Sequence, residues 1–248
     1  MKKCIENGIV ISIGNQNNNL ENSIITSQIA SYIHQKLGHR LRIIVLDCCE
    51  IEEYTRERNE VGWKVEESYY KSHFRLLQVS SENFPSHAEF LTQEYDVIFV
   101  SLPGDLKQPG VLQSYQNVDV LITPTPTSSI DLQSTIDFIR MYKETIIPER
   151  DKSNLITSIY GLFNRVDILN IDFKVSNLED VRSRLSIDFF QNFVPESKEL
   201  FQKAEVTSSV SKNYESKNYK DLTREILTKI MSIGGELSMD AINAIIKD

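Results

Sequence analysis

Cysteine is scarce in this chain: Cys4, Cys48 and Cys49 are the only three in 248 residues. Adjacent cysteines do not readily bridge each other, and Cys4 lies far away in sequence. A disulfide framework is therefore excluded, and a reducing, cytoplasmic setting is expected. Positive charge is also short. The formal net charge is −8, which argues against a dominant attraction to DNA or to anionic membranes, while leaving room for a local basic patch. No stretch reaches the roughly 18 apolar residues that a bilayer span needs. The apolar run behind the first residues is about seven long, too short for a signal peptide. His34, His39, His73 and His87 have no metal-ligand spacing, and Cys48-Cys49 has no Cys or His cluster nearby. All of these read as packing or surface residues. Internal repeats and low-complexity segments are lacking too.

What is present is ordinary for a globular protein: 40% hydrophobic and 25% charged residues. The length suffices for a full core. Gly8–Gly14 is a short β-branched run and predicts a buried strand. Ile24, Ile25, Ile29, Tyr32 and Ile33 recur at helical spacing, with Gly38 as a stop. A second strand is expected over Leu41–Leu46. The polar segment Arg56–Glu67 predicts a helix. Further strands are expected at Leu76–Val79, Tyr95–Ser101, Val118–Pro124, Leu155–Phe163 and Leu185–Val194. Ser128 or Ser129 is suited to cap a helix whose apolar side runs from Ile130 to Tyr142. Thr207–Lys220 reads as a polar loop, Leu222–Ile230 as a helix stopped by Gly234-Gly235, and Met239–Ile246 as a short terminal helix. Strands and helices alternate, so the expected fold is α/β with a doubly wound, mostly parallel sheet. The chain reads as a single domain over residues 1–248, with 207–248 a polar loop and helical tail.

Ligands of such sheets bind at the C-terminal ends of the strands, and the first strand-to-helix loop is the natural phosphate cradle. Here that loop is Asn15-Gln16-Asn17-Asn18-Asn19-Leu20-Glu21-Asn22-Ser23. It resembles the N-Q-K-G-G-x-G-K-[ST] loop of the ParA/MinD group of P-loop ATPases. Asn15, Gln16 and Ser23 match. Asn17 stands at the signature lysine of that group, Asn18, Asn19 and Glu21 at the three glycines, and Asn22 at the phosphate-binding lysine. Glycines let backbone N–H groups wrap a phosphate, and the lysine supplies positive charge. A Glu21 carboxylate about 4 Å from a phosphate would cost on the order of 4 kcal/mol at an effective dielectric of 20. A helix N-terminus returns only about 0.3–1 kcal/mol. Repulsion wins unless Glu21 points away. Asparagine tolerates left-handed backbone, so the loop shape can outlast its glycines.

Two further landmarks are altered. After the second strand the family reads D-x-D-P-Q, and this chain reads Asp47-Cys48-Cys49-Glu50-Ile51. Asp47 matches, and Cys49 replaces the second aspartate. In the Walker B-like strand, Tyr95 to Gly104, Ser101 takes the place of the metal-proximal aspartate while Pro103-Gly104 is kept. Asp96 at the strand's start is an entry residue, not a metal ligand. Val118–Pro124 with Asp131-Leu132, and Asn164-Arg165-Val166-Asp167, also follow family patterns. A narrower likeness, carried by Ala30–His34, Leu46–Cys48 and Arg56–Arg58, is to the TraA-like homologues of Bacteroidetes conjugative transposons, which have an intact P-loop.

The resemblance implies a P-loop scaffold of ParA/MinD type whose nucleotide loop (Asn17, Asn18, Asn19, Glu21, Asn22, Ser23) and switch and Walker B positions (Asp47, Cys49, Ser101) are vestigial. Asp47 reads as a remnant catalytic group or as a strand-end cap. Asn164 reads as a remnant of base recognition or as a loop-bonding residue. The expected function is that of a pseudo-ATPase without catalytic residues, cofactor or metal. It would act on a protein partner, an active ParA-like relative or a conjugation component, with DNA and membrane not expected. Asn17 argues against a nucleotide-sandwich dimer, and a homodimer through another face stays open. The alternative is an atypical ATPase of DNA partition or transfer, binding ATP and Mg weakly and recruiting a lysine such as Lys36 or Lys107.

Overall fold

The structure is a computed structural model that describes residues 7–16, 19–38, 41–49, 75–127, 132–153, 155, 157–167, 179–196 and 217–234. The expected helices at Arg56–Glu67 and Met239–Ile246, and the caps Ser128 and Ser129, lie outside them. Among the described residues, seven strands form one sheet in the order β3-β2-β4-β1-β5-β6-β7. They are β1 (Ile9–Ile13), β2 (Ile43–Asp47), β3 (Arg75–Gln78), β4 (Val97–Ser101), β5 (Val120–Pro126), β6 (Ser158–Asn164) and β7 (Asp188–Phe189). Every pairing is parallel. The expected doubly wound α/β sheet is therefore the observed one.

The period of two in the strands sorts side chains onto the two faces. Ile9, Ile11, Ile13, Ile43, Val45, Val97 and Phe99 join one core with Ile25, Ile29 and Ile33 of α1 (Asn19–Leu37). The C-terminal helix shares this core through Tyr219, Leu222, Ile226 and Ile230. Val10, Ile44, Leu46, Ile98, Val100 and Leu121 face the other way. They pack with Phe84, Ala88 and Leu91 of α2 (Phe84–Glu94), Val111 and Tyr115 of α3 (Val111–Tyr115), and Phe138 of α4 (Leu132–Met141). A strand buried on both faces is apolar throughout, as parallel sheets require.

Three expectations shift. The strand sought over Leu185–Val194 shrinks to Asp188–Phe189. Leu185 instead ends a helical turn over residues 179–185, which Ser186 closes at a left-handed φ of 50°. The polar loop ends earlier than its composition suggests: α6 (Lys217–Gly234) starts ahead of Tyr219, whose burial extends the stripe of Leu222, Ile226 and Ile230 by one turn. The helix behind Ile130 is longer and irregular. After α4 the chain takes one π-helical turn, Tyr142–Ile146, and then α5 (Ile147–Lys152), where Pro148 sits at the start of the new segment.

The chain leaves β1 toward β2 and β3, on one side, and leaves β5 toward β6 and β7, on the other. β1 and β5 stay paired, and it is their outgoing connections that part to opposite sides, which is where a doubly wound sheet places its ligand crevice.

Candidate functional site

At the end of β1 the chain must turn into α1, and Asn15 holds that turn. Its amide nitrogen donates to the carbonyl of Pro124 in β5 at 3.0 Å, and its carbonyl accepts from the amide of Asn22 at 3.4 Å. Asn15 and Asn22 are both buried. The side chain at the position of a phosphate-binding lysine is thus short, neutral and turned back onto the loop. The carbonyl of Asn22 accepts from the Thr26 hydroxyl at 2.7 Å, within the same helix. Ser23 is fully buried beside it. Asn17 and Asn18 lie outside the described residues. Asn19 opens α1.

The kept Pro103-Gly104 has a steric reason. A Cβ on Gly104 would sit 2.3 Å from the Asn15 carbonyl oxygen and 2.6 Å from that of Gln16. Only glycine lets the loop after β4 lie this close to the first loop.

Glu21 sits in the first turn of α1 and is 8% exposed. Its carboxylate accepts from the Asn164 amide at 3.2 Å and forms an ion pair with Arg165. Asn164 is the last residue of β6, and its carbonyl accepts from the backbone N–H of Arg165 at 2.9 Å. Arg165 has a φ of 54°. Left-handed backbone costs a non-glycine residue about 1–2 kcal/mol. That turn directs the half-exposed guanidinium toward α1. Glu21 therefore points away from the first loop, the case in which the expected repulsion does not arise: the carboxylate faces β6 and carries its own cation.

Asp47 and Ser101 stand opposite each other at the ends of β2 and β4. Asp47 is buried, and one of its oxygens accepts from the Cys49 N–H at 3.0 Å. This is the geometry of a residue closing a strand end. The Ser101 hydroxyl is buried without a hydrogen-bond partner among the described residues. Burial, and then the Asp47 charge, push the Cys48 thiol up to about 12. The same causes, with Cys48 added, push Cys49 further. A thiol kept protonated is neither a base nor a ligand for a hard cation. Two aspartates elsewhere are structural. Asp96 accepts from the Arg42 backbone N–H at 2.8 Å, as a strand-entry residue does. Asp119 accepts from the Val10 N–H at 2.9 Å and from Arg150 at 2.7 Å.

The structure thus gathers Glu21, Asn22, Ser23, Asp47, Cys49, Ser101 and Asn164 at one edge of the sheet. Sequence reasoning missed the partnership of Arg165 with Glu21. The signal available was an acidic residue in the first loop and a basic one after the sixth strand. Among the described residues, the position of the loop's third glycine carries a carboxylate, the lysine position an amide, and the Walker B position a hydroxyl. Among the described residues no group of three or more His, Cys, Asp or Glu side chains is disposed to hold a metal, and no helix is long and apolar enough to cross a membrane.

No protein-family model and no curated protein matches this sequence. Solved structures do match in shape. The MinC:MinD cell division protein complex of Aquifex aeolicus aligns at 12% identity and a TM-score of 0.64, covering 93% of this chain and 98% of that one. The septum site-determining protein MinD of Pyrococcus horikoshii, complexed with Mg-ADP, aligns at 12% identity and 0.61, covering 93% and 100%. A partition protein aligns at 16% identity and 0.55, covering 95% and 76%. The chain is therefore similar to MinD- and ParA-type P-loop proteins in fold.

Proposed function

We propose that this chain is a ParA-like pseudo-ATPase: a protein that keeps the P-loop scaffold, does not hydrolyse nucleotide, and works through protein contacts. The observation that carries this reading is Glu21, a buried carboxylate in the first turn of α1, held by Asn164 and Arg165. A phosphate cradle works by offering N–H groups and positive charge to an anion. Here the position of the positive charge holds Asn22, turned back onto Asn15, and Arg165, a cation beside the first turn of α1, is taken by Glu21. Asn22 and Ser101 add to the argument, because each replaces a charged group whose charge the chemistry uses.

The partner is a protein, in keeping with the likeness to a solved MinC:MinD complex. An active ParA-like relative or a conjugation component fits, on the TraA-like resemblance. With a net charge of −8, DNA is a poor partner. The rival reading is an atypical ATPase with a recruited lysine. Lys36 is a poor donor, since it lies in the last turn of α1, roughly 22 Å along the axis from Glu21 at 1.5 Å per residue. Lys107, on the loop after β4, is the better placed.

Calorimetric titration with ATP and Mg²⁺ tests the reading. The expected result is no saturable heat in the micromolar range and no phosphate release. Micromolar binding with turnover that Lys107→Ala abolishes would replace this reading by the rival.

A further inference from the structure

We propose that Glu21 is an internal latch that keeps the crevice between α1 and β6 shut, and that releasing it uncovers an anion-binding place centred on Arg165. This rests on the pseudo-ATPase reading and says which residue enforces it.

A doubly wound sheet places its crevice where the connections of neighbouring strands part, here those leaving β1 and β5. Among the described residues, two side-chain bridges join the elements around it. Asn15 ties the loop after β1 to Pro124 of β5. Glu21 ties the first turn of α1 to Asn164 and Arg165 behind β6, reaching 143 positions along the chain. The second bridge spans further and is the charged one.

Its parts are arranged for an anion. Asn164 points its amide N–H, not its carbonyl, at the carboxylate, because the carbonyl is held by the Arg165 N–H. Arg165 adopts a left-handed backbone that few arginines take, and this brings the guanidinium to Glu21. Glu21 also occupies the helix's first turn, where negative charge is favoured. A guanidinium and an amide N–H pre-set around a carboxylate suit a phosphate oxygen equally well. The latch and an external phosphate therefore compete for one set of donors.

The probe is inorganic pyrophosphate, added to the full chain and followed by calorimetry and by melting temperature. Wild type is expected to bind it weakly and to melt unchanged. Glu21→Ala is expected to bind at least tenfold tighter and to melt higher with pyrophosphate present. Glu21→Ala with Arg165→Ala is expected to lose that gain. Should Glu21→Ala fail to fold, Glu21→Gln keeps the shape and removes the charge, and the same gain is expected at smaller size. The proposal is overturned if neither Glu21 variant binds tighter than wild type, or if the gain survives the loss of Arg165. Failure of the latch alone leaves wild type unable to bind ATP; failure of the pseudo-ATPase reading shows as ATP binding by wild type itself.

Discussion

Asp47 and Ser101 face each other across β2 and β4, both buried, one charged and one with a hydroxyl. A second carboxylate in this register would stand beside the first. In Ser101→Asp, repulsion and burial raise the folded pKa of one of the two. A raised folded pKa gives stability that is full below the unfolded value of about 3.9 and is lost as pH rises through the folded one. Urea denaturation is expected to show a deficit of about 2–3 kcal/mol at pH 7 and a smaller one at pH 4.5. Equal deficits at both would mean that the two carboxyls do not interact.

The thiols behind Asp47 set an alkaline limit. The Cys48 thiol is pushed up to about 12 and Cys49 further, chiefly by burial and then by the Asp47 charge. The unfolded chain releases these protons near pH 9 while the folded chain keeps them, so folding weakens as pH rises from there. Each thiol is expected to cost about 1.4 kcal/mol per pH unit above that point. Buried Tyr115, Tyr142 and Tyr219 add to the slope higher up. Between pH 8.5 and pH 10, Cys48→Ala with Cys49→Ala should show a flatter decline in denaturant midpoint than wild type.

Gly104 carries a contact that no side chain permits. In Gly104→Ala the Cβ meets two carbonyl oxygens of the first loop, and backbone cannot rotate away as a side-chain tip can. The expected loss is about 1–3 kcal/mol by chemical denaturation. A wild-type midpoint would show that the loop after β4 moves independently of Asn15 and Gln16.

Arg150 is buried, and it bonds Asp119 at 2.7 Å and the Gln116 carbonyl at 2.6 Å. Asp119 in turn holds the Val10 N–H. Arg150→Met leaves that carboxylate without its cation, at an expected cost of about 2–4 kcal/mol, discounted because Asp119 is partly exposed. Adding Asp119→Asn removes the stranded charge and should recover part of the loss. No recovery would place the cost in packing around the methylene stem.

The strands were the most legible part. Runs such as Ile43 to Leu46 and Val97 to Val100 are apolar at every position, and only a strand covered on both faces buries such a run. Boundaries were less legible, because they hang on tertiary contacts. Tyr219 looks like loop until the stripe of α6 meets α1. Leu185 looks like strand until Ser186 turns left-handed. The short helix α2 escaped notice because its apolar face is only Phe84, Ala88 and Leu91, too few for a periodic signal in a polar segment.

The sequence by itself determined the fold class, a mostly parallel arrangement of the strands, and the residue types at the sheet's C-terminal edge. These follow from local patterns: apolar period, turn residues and the spacing of loop positions. It also determined that Glu21 brings negative charge into the first loop. What only the tertiary structure decided is where that charge goes. A carboxylate in the first turn of α1 is able to face the loop or the neighbouring strand, and the choice belongs to Asn164 and Arg165, which lie 143 and 144 positions away in sequence. Burial strengthens such a pairing and makes an unpaired carboxylate costly, so the partner brought by the fold settles the matter. No local pattern holds that information.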